Sequence, residues 1–337
     1  MPSGVTRPRP RRTTTRSRRL WVVDSSTAAR VTRSRTRFSR RTAPAVRLEN
    51  LRGWLFAAPT AVLVLGLFIA PLVVVIIMAA SNWTLLGGNQ GNNFPLNFTN
   101  VFKDPLLPGA IWFTIEYTII TTVILMPIAF GLALLVQEAR KWNAILRTAI
   151  LIPSAMGIAS ASLLFYALYS PQIGPLTPLL NLIPGFQEGE SVLSTPGGAL
   201  WATVLLVVWR FAGFYMLLMM VGLQAIPGEV YEAAKLDGAG RLKTLMRVTI
   251  PLLRPTIAMT LIMSITGSLL AFDQFYILTE GGPNNSTMTI VQLIYREAFQ
   301  TNRDLGMAAA LTVMLLIALV IINAIQLRAL RVGADED

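Results

Sequence analysis

Residues Glu232-Ala-Ala-Lys-Leu-Asp-Gly-Ala-Gly240, continuing through Arg241 to Ile250-Pro251-Leu-Leu-Arg-Pro255, form a polar island between two apolar runs, about Ala199 to Leu223 and about Leu252 to Leu278. Glu232 and two alanines open a short helix, Asp237-Gly238 makes a turn, and a basic second helix follows that Pro251 stops. Each flanking run is long enough to cross a hydrocarbon core, which takes roughly 20 apolar residues. The island is therefore pinned at a membrane face, where it forms a docking surface.

Working outward, similar runs occur at about Trp54 to Ala80, Ala110 to Val136, Ala144 to Tyr169 and Leu305 to Leu327. The expected fold is an all-α integral membrane protein with six transmembrane helices and a cytoplasmic coupling helix between the fourth and fifth. The composition agrees: 53% of the 337 residues are hydrophobic and 14% charged, at a mean hydropathy of +0.57, which excludes an ordinary soluble domain. With neither Cys nor His, the chain has no disulfide, no thiolate nucleophile and none of the usual zinc ligands.

Positive charge sets the orientation. With the N-terminus inside, 25 of the 29 basic residues fall on cytoplasmic segments, 15 of them Arg before Trp54. The outer segments carry Lys103, Arg296 and Arg303, and Arg210 lies within a span. Both termini are then cytoplasmic, as is the Glu232 loop. Residues 1–53 are an Arg/Thr/Ser tract too poor in apolar side chains to offset its ordering entropy, and are expected to be a disordered, lipid-attracted cytoplasmic tail rather than a nucleic-acid binder. The transmembrane domain is expected over 54–330, with the Glu232 loop at about 226–250 and a short tail at 331–337. Ser81 to Gly109 and Ser170 to Gly198, rich in Gly, Asn and Pro, are expected to be irregular outer loops.

Catalytic signals are missing. Gly238-Ala-Gly-Arg-Leu-Lys-Thr244 fails as a phosphate-binding loop, because Leu242 precedes Lys243 and a helix, not a strand, precedes Gly238. Ionisable residues inside the apolar runs are more informative, since charge at that depth faces a bundle interior or an aqueous cavity. Glu116, Arg210 and Asp273 qualify. Arg210 sits in Trp209-Arg-Phe-Ala-Gly-Phe-Tyr215 and Asp273 in Phe272-Asp-Gln-Phe-Tyr276, opposite charges among aromatic rings. Such a setting suits a sugar, whose hydroxyls need directional hydrogen bonds while its C–H faces stack on rings. It equally suits an Arg–Asp pair that registers two helices.

The island resembles the coupling loop, the EAA motif, of permease subunits of type I ATP-binding-cassette importers, at Glu232, Ala233, Ala234, Asp237, Gly238, Ala239 and Pro251. Thr279-Glu-Gly-Gly-Pro283, Ile294-Tyr295-Arg-Glu-Ala298-Phe299, Gly306-Met-Ala-Ala-Ala310, Arg147, Pro153 and Gly174 are similar to the carbohydrate branch, that of maltose and glycerol-3-phosphate importers. The resemblance spans about Trp54 to Leu330. It implies a permease of a bacterial cytoplasmic membrane, no enzyme itself and binding no cofactor, with Mg-ATP used by a partner ATPase dimer. The other implied partners are a second homologous permease, an extracytoplasmic solute-binding protein and membrane lipids, without nucleic acid. It also implies substrate contacts at Trp209, Arg210, Phe211, Phe214, Phe272, Asp273 and Phe275, and ATPase coupling through Glu232, Ala233, Ala234, Asp237 and Gly238. Two alternatives stay open: an importer subunit for a non-sugar solute, and a self-sufficient secondary transporter using Arg210, Asp273 and Glu116 as an ion path.

Overall fold

The computed structural model describes residues 56–331 apart from 139–140, 173, 177–190 and 302. The basic 1–53 tract, the tail beyond Arg331 and most of the Ser170–Gly198 loop lie outside the described residues. The chain divides into compact units at Ala61; of the first, only residues 56–61 are described, and they are helical.

Among the described residues, five helices are long and apolar enough to cross a membrane: α1 (Phe56–Ala79), α3 (Leu107–Val136), α6 (Pro196–Gln224), α8 (Arg241–Leu269) and α11 (Leu305–Arg331). The run expected as one straight third span is a bent pair, α4 (Lys141–Ala155) and α5 (Ile158–Leu168), meeting at 94°. The six expected spans thus become five helices and one broken one. The shorter elements are strands β1 (Ser81–Thr84) and β2 (Gly88–Asn92), α2 (Leu96–Lys103), α7 (Gly228–Leu236), α9 (Asp273–Leu278) and α10 (Ile290–Tyr295).

Helices α3 and α6 run parallel through the centre. At one end Phe113 and Tyr117 meet Leu206 and Val207; at the other, Leu125, Ala129 and Ala133 meet Met216, Met219 and Leu223. Ala129 and Ala133 are fully buried, small side chains that let helices approach where lipid offers no hydrophobic contrast. Helix α8 joins α3 through a Thr122 Oγ1 to Ser264 Oγ contact of 3.3 Å. Helices α4 and α6 approach closely: a Cβ on Gly213 would collide with the Ile150 carbonyl oxygen and lie 2.9 Å from Ser154 Oγ.

Three expectations change in the structure. First, the Ser81–Gly109 loop of this mostly helical fold is not irregular throughout: after α1 it carries an antiparallel hairpin, with Trp83 opposite Asn89 and Thr84 opposite Gly88. Thr84 also bridges to Asp304, and Asn97 Nδ2 donates to the Ala79 and Ser81 carbonyls at 3.0 and 2.8 Å. Polar residues that look like irregular loop thus tie the end of α1 to the start of α11. Second, Pro251 does not stop the helix after the turn; α8 runs through it. A proline ring crowds the carbonyl four residues back, here Arg247, which lies in a turn of wider winding over Leu245–Thr249. Thr249 Oγ1 reaches back to the Thr244 carbonyl at 3.4 Å across that turn. Third, the fifth span ends at Leu269, and α9 is a separate helix.

The far end of α3 is closed by Arg147 of α4. Its Nε donates to the Val136 carbonyl at 2.8 Å and its Nη2 to the Gln137 carbonyl at 3.1 Å. A guanidinium there satisfies helix-end carbonyls and offsets the negative end of the dipole.

Candidate functional site

The break between α8 and α9 creates the site. Residues Leu270 to Phe272 are non-helical at the end of a membrane-length helix, a conformation tolerated at depth only where the backbone is buried or lines a cavity. The Ala271 carbonyl accepts from Thr289 Oγ1 at 2.8 Å. Asp273 then opens α9, where the positive helix end favours a carboxylate.

Beside this break lies a cavity of about 170 Å³, bounded by α3, α5, α6, α8 and the Leu270–Gln274 segment. Its polar groups are Tyr117, Tyr215, Ser264, Ser268, Asp273 and Gln274; Phe211 and Phe272 supply rings. Gln274 Nε2 donates to Tyr117 Oη at 3.2 Å. Behind Tyr117 stands fully buried Phe275, whose ring meets Phe113 at 5.0 Å and Tyr117 at 4.8 Å, both edge-on. The wall is a rigid aromatic block with hydroxyl and amide groups at its surface. Among the described residues that line it, one is anionic and none is cationic.

Of the seven residues expected to touch substrate, Phe211, Phe272 and Asp273 line this cavity. Trp209, Arg210, Phe214 and Phe275 do not. Phe275 stands behind the wall, Trp209 packs on Phe165 with ring centroids 5.2 Å apart, and Phe214 lies against Tyr215 at 5.3 Å. Arg210 and Asp273 form no ion pair. Arg210 Nε instead donates to the Met156 carbonyl at 2.8 Å, and its guanidinium lies 4.4 Å from the Phe211 ring centre. Met156 is the residue at the α4–α5 break, whose freed carbonyl needs a donor. Next to it, Ser154 Oγ donates to the Arg210 carbonyl at 2.8 Å and accepts from the Phe214 amide at 3.0 Å. Arg210 and Ser154 together hold the bend against α6. Glu116 is half-buried on α3 and does not line the cavity.

Tyr117, Tyr215, Ser264, Ser268 and Gln274 also line the cavity and are not among the residues expected from the sequence. Gln274 adjoins Asp273 within the aromatic motif already singled out, so an uncharged polar residue inside an apolar run was the available signal. The serines and tyrosines are too common in spans to stand out.

At the opposite end of α6, helix α7 and the start of α8 form the expected helix-turn-helix. Gly238 adopts a φ of 69°, a left-handed conformation that favours glycine, and the Ala239 amide closes the turn on the Ala234 carbonyl at 2.9 Å. Ala234 is buried, whereas Glu232, Ala233, Asp237 and Gly238 are exposed. Leu236 is 90% exposed, Leu242 69% and Met246 58%, an apolar surface on a polar loop.

The family model described as the binding-protein-dependent transport system inner membrane component matches residues 126–330. The sulfoquinovosyl glycerol transport system permease of Agrobacterium fabrum is 31% identical over 84% of this chain and 91% of its own length. The arabinooligosaccharides transport system permease of Bacillus subtilis is 30% identical over 82% of this chain and 87% of that protein. The lactose transport system permease of Rhizobium radiobacter is 29% identical over 85% and 96%. Among solved structures, a bacterial alginate ABC transporter in complex with an alginate pentasaccharide-bound periplasmic protein shares the fold, with a TM-score of 0.73 at 21% identity over 85% of this chain and 96% of that one. The family model and the relatives agree, and the membrane-length helices fit them: this chain belongs to the family of binding-protein-dependent transport system inner membrane components, as a multi-pass permease subunit of an ABC importer.

Proposed function

We propose that this chain is one of two permease subunits of an importer for an uncharged sugar or oligosaccharide. The cavity lining carries the reading: hydroxyl, amide and carboxylate groups beside aromatic rings, with no Lys or Arg among the described lining residues. Relatives named for sugars, both neutral and acidic, make carbohydrate the class. An anionic cargo needs a cation at the cavity wall, and Arg210 does not line the cavity; its Nε donates to the Met156 carbonyl at the α4–α5 bend. Tyr117, Gln274 and Asp273 would hold hydroxyls, and Phe211 and Phe272 would take C–H faces.

The turn at Gly238 would dock on a separate ATPase, which holds and hydrolyses Mg-ATP. Exposed Leu236, Leu242 and Met246 supply apolar contact, and Glu232 and Asp237 orient the loop. ATP-driven closure of two ATPase subunits would draw the coupling helices together and turn the cavity outward, where a solute-binding protein releases its sugar. Both termini and α7 would then be cytoplasmic.

Gentle solubilisation of native membranes, with this chain tagged, tests the reading. An ATPase, a second permease and a binding protein carrying an uncharged saccharide are the expected companions. A phosphorylated, sulfonated or uronate cargo overturns the neutral assignment. Recovery of the chain alone after mild cross-linking, with uptake that survives ATP depletion and collapses with the proton gradient, makes it a secondary transporter instead.

A further inference from the structure

On the side of α8 away from α7, a second and smaller pocket of about 80 Å³ is lined by Tyr276, Glu280, Met288, Gln292, Arg296 and Gln300. Two observations set it apart from a surface dimple. Gln292 is 4% exposed, and its Oε1 has no hydrogen-bond partner. An orphaned buried acceptor is costly, at about 1–3 kcal/mol, and rare enough to need a reason. The second observation is a run of four rings. Phe272 stacks on Tyr276 with centroids 5.2 Å apart and planes at 16°, Tyr276 meets Tyr295 at 5.1 Å, and Tyr295 meets Phe299 at 5.2 Å. Phe272 lines the central cavity and Tyr276 lines the rim pocket, so the rings link the two.

The pocket's polar groups are held ready. Arg296 Nη1 donates to Asn285 Oδ1 at 3.0 Å and Nε to Thr301 Oγ1 at 3.2 Å, neutral partners that fix the guanidinium without cancelling its charge. Opposite it, the Thr279–Thr289 loop is internally tied: Thr287 Oγ1 lies 2.8 Å from Thr279 Oγ1 and donates to the Gly282 carbonyl at 2.6 Å. Met288, unbranched and adaptable, is the wall residue most able to shift and uncover Gln292.

We propose that this rim is a second carbohydrate subsite, which takes the edge of one sugar unit before it reaches the central cavity; the assignment rests on the carbohydrate reading above. Gln292 accepts from a sugar hydroxyl, Arg296 and Gln300 donate to others, and the linking rings offer apolar faces along which the ring C–H bonds slide. An 80 Å³ pocket holds an edge of one unit, not an oligomer.

Saturation-transfer NMR on the full chain in its purified complex in lipid nanodiscs, with maltotriose, lactose and raffinose as probes, tests it. Gln274→Ala, in the central cavity, is expected to leave residual transfer that Gln292→Leu in the same chain removes. Gln292→Leu or Tyr276→Ala alone is expected to cut transfer at least about two-fold, the loss of one hydrogen bond or ring contact. Gln292→Leu removes an unpaired acceptor, so its thermal midpoint is expected to stay level or rise, separating binding from folding. Unchanged transfer in both rim variants, with transfer reduced in Gln274→Ala, means a single central site and overturns the subsite alone. Absence of transfer from all three sugars to the unmodified complex overturns the carbohydrate reading and the subsite with it.

Discussion

At the residue scale the central lesson is Arg210. A lone arginine in a span invites a role in binding, yet its Nε serves the Met156 carbonyl at a helix break. Arg210→Ala is expected to leave that carbonyl short of a partner and lower stability by about 1–3 kcal/mol. Thermal unfolding in detergent checks this, with the KM for sugar uptake expected to hold steady; a raised KM with unchanged stability would return Arg210 to the binding site. Tyr117→Phe and Gln274→Ala should behave differently. Each removes one neutral hydrogen-bonding group from the cavity wall, worth about 0.5–1.5 kcal/mol, so uptake KM, unlike that of Arg210→Ala, should rise roughly 2- to 12-fold, alongside a stability loss of about 1–3 kcal/mol from the buried partner left unpaired.

At the element scale, two glycines mark where the backbone geometry is decisive. Gly213 lets α4 touch α6, so Gly213→Leu is expected to drive the two helices apart and to cut the yield of folded protein, read by size-exclusion chromatography. Gly238 has the left-handed φ of the turn between α7 and α8, which costs a β-carbon residue about 1–2 kcal/mol. Gly238→Val is expected to preserve sugar binding while uncoupling ATP hydrolysis from uptake; a normal ratio of sugar imported to ATP consumed would remove the turn from the coupling path. Pro251 shows why element ends were harder to place than elements. A proline reads as a stop in water, but α8 absorbs it with one widened turn, because in a membrane the helix is the main way to keep backbone groups paired.

At the scale of the whole molecule, the absence of cysteine makes orientation directly measurable. Single cysteines at Asn89 in the hairpin and Leu236 beside the coupling turn should react with an impermeant maleimide from opposite sides of the membrane, Leu236→Cys only once the cytoplasmic face is opened. Labelling of both from outside would refute the charge-based orientation. Among the described residues nothing buries the most apolar stretch of helix α1, the exposure expected of a face turned to lipid.

The apolar runs were enough to show a multi-span membrane chain, because hydrophobic length acts locally and is written in consecutive residues, and the Glu232–Pro251 island carried the resemblance to importer permeases. The same held for the helix-turn-helix at Asp237-Gly238, whose geometry follows from one glycine. What only the tertiary structure decided is which side chains face one another. Met156 and Arg210 are far apart in the chain, as are Tyr117 and Gln274, and a helical wheel cannot say that a 94° bend leaves a carbonyl for the arginine while a break after Leu269 turns the glutamine inward. Buried polar groups must find partners wherever the folded backbone puts them, and no periodicity along the sequence records that demand.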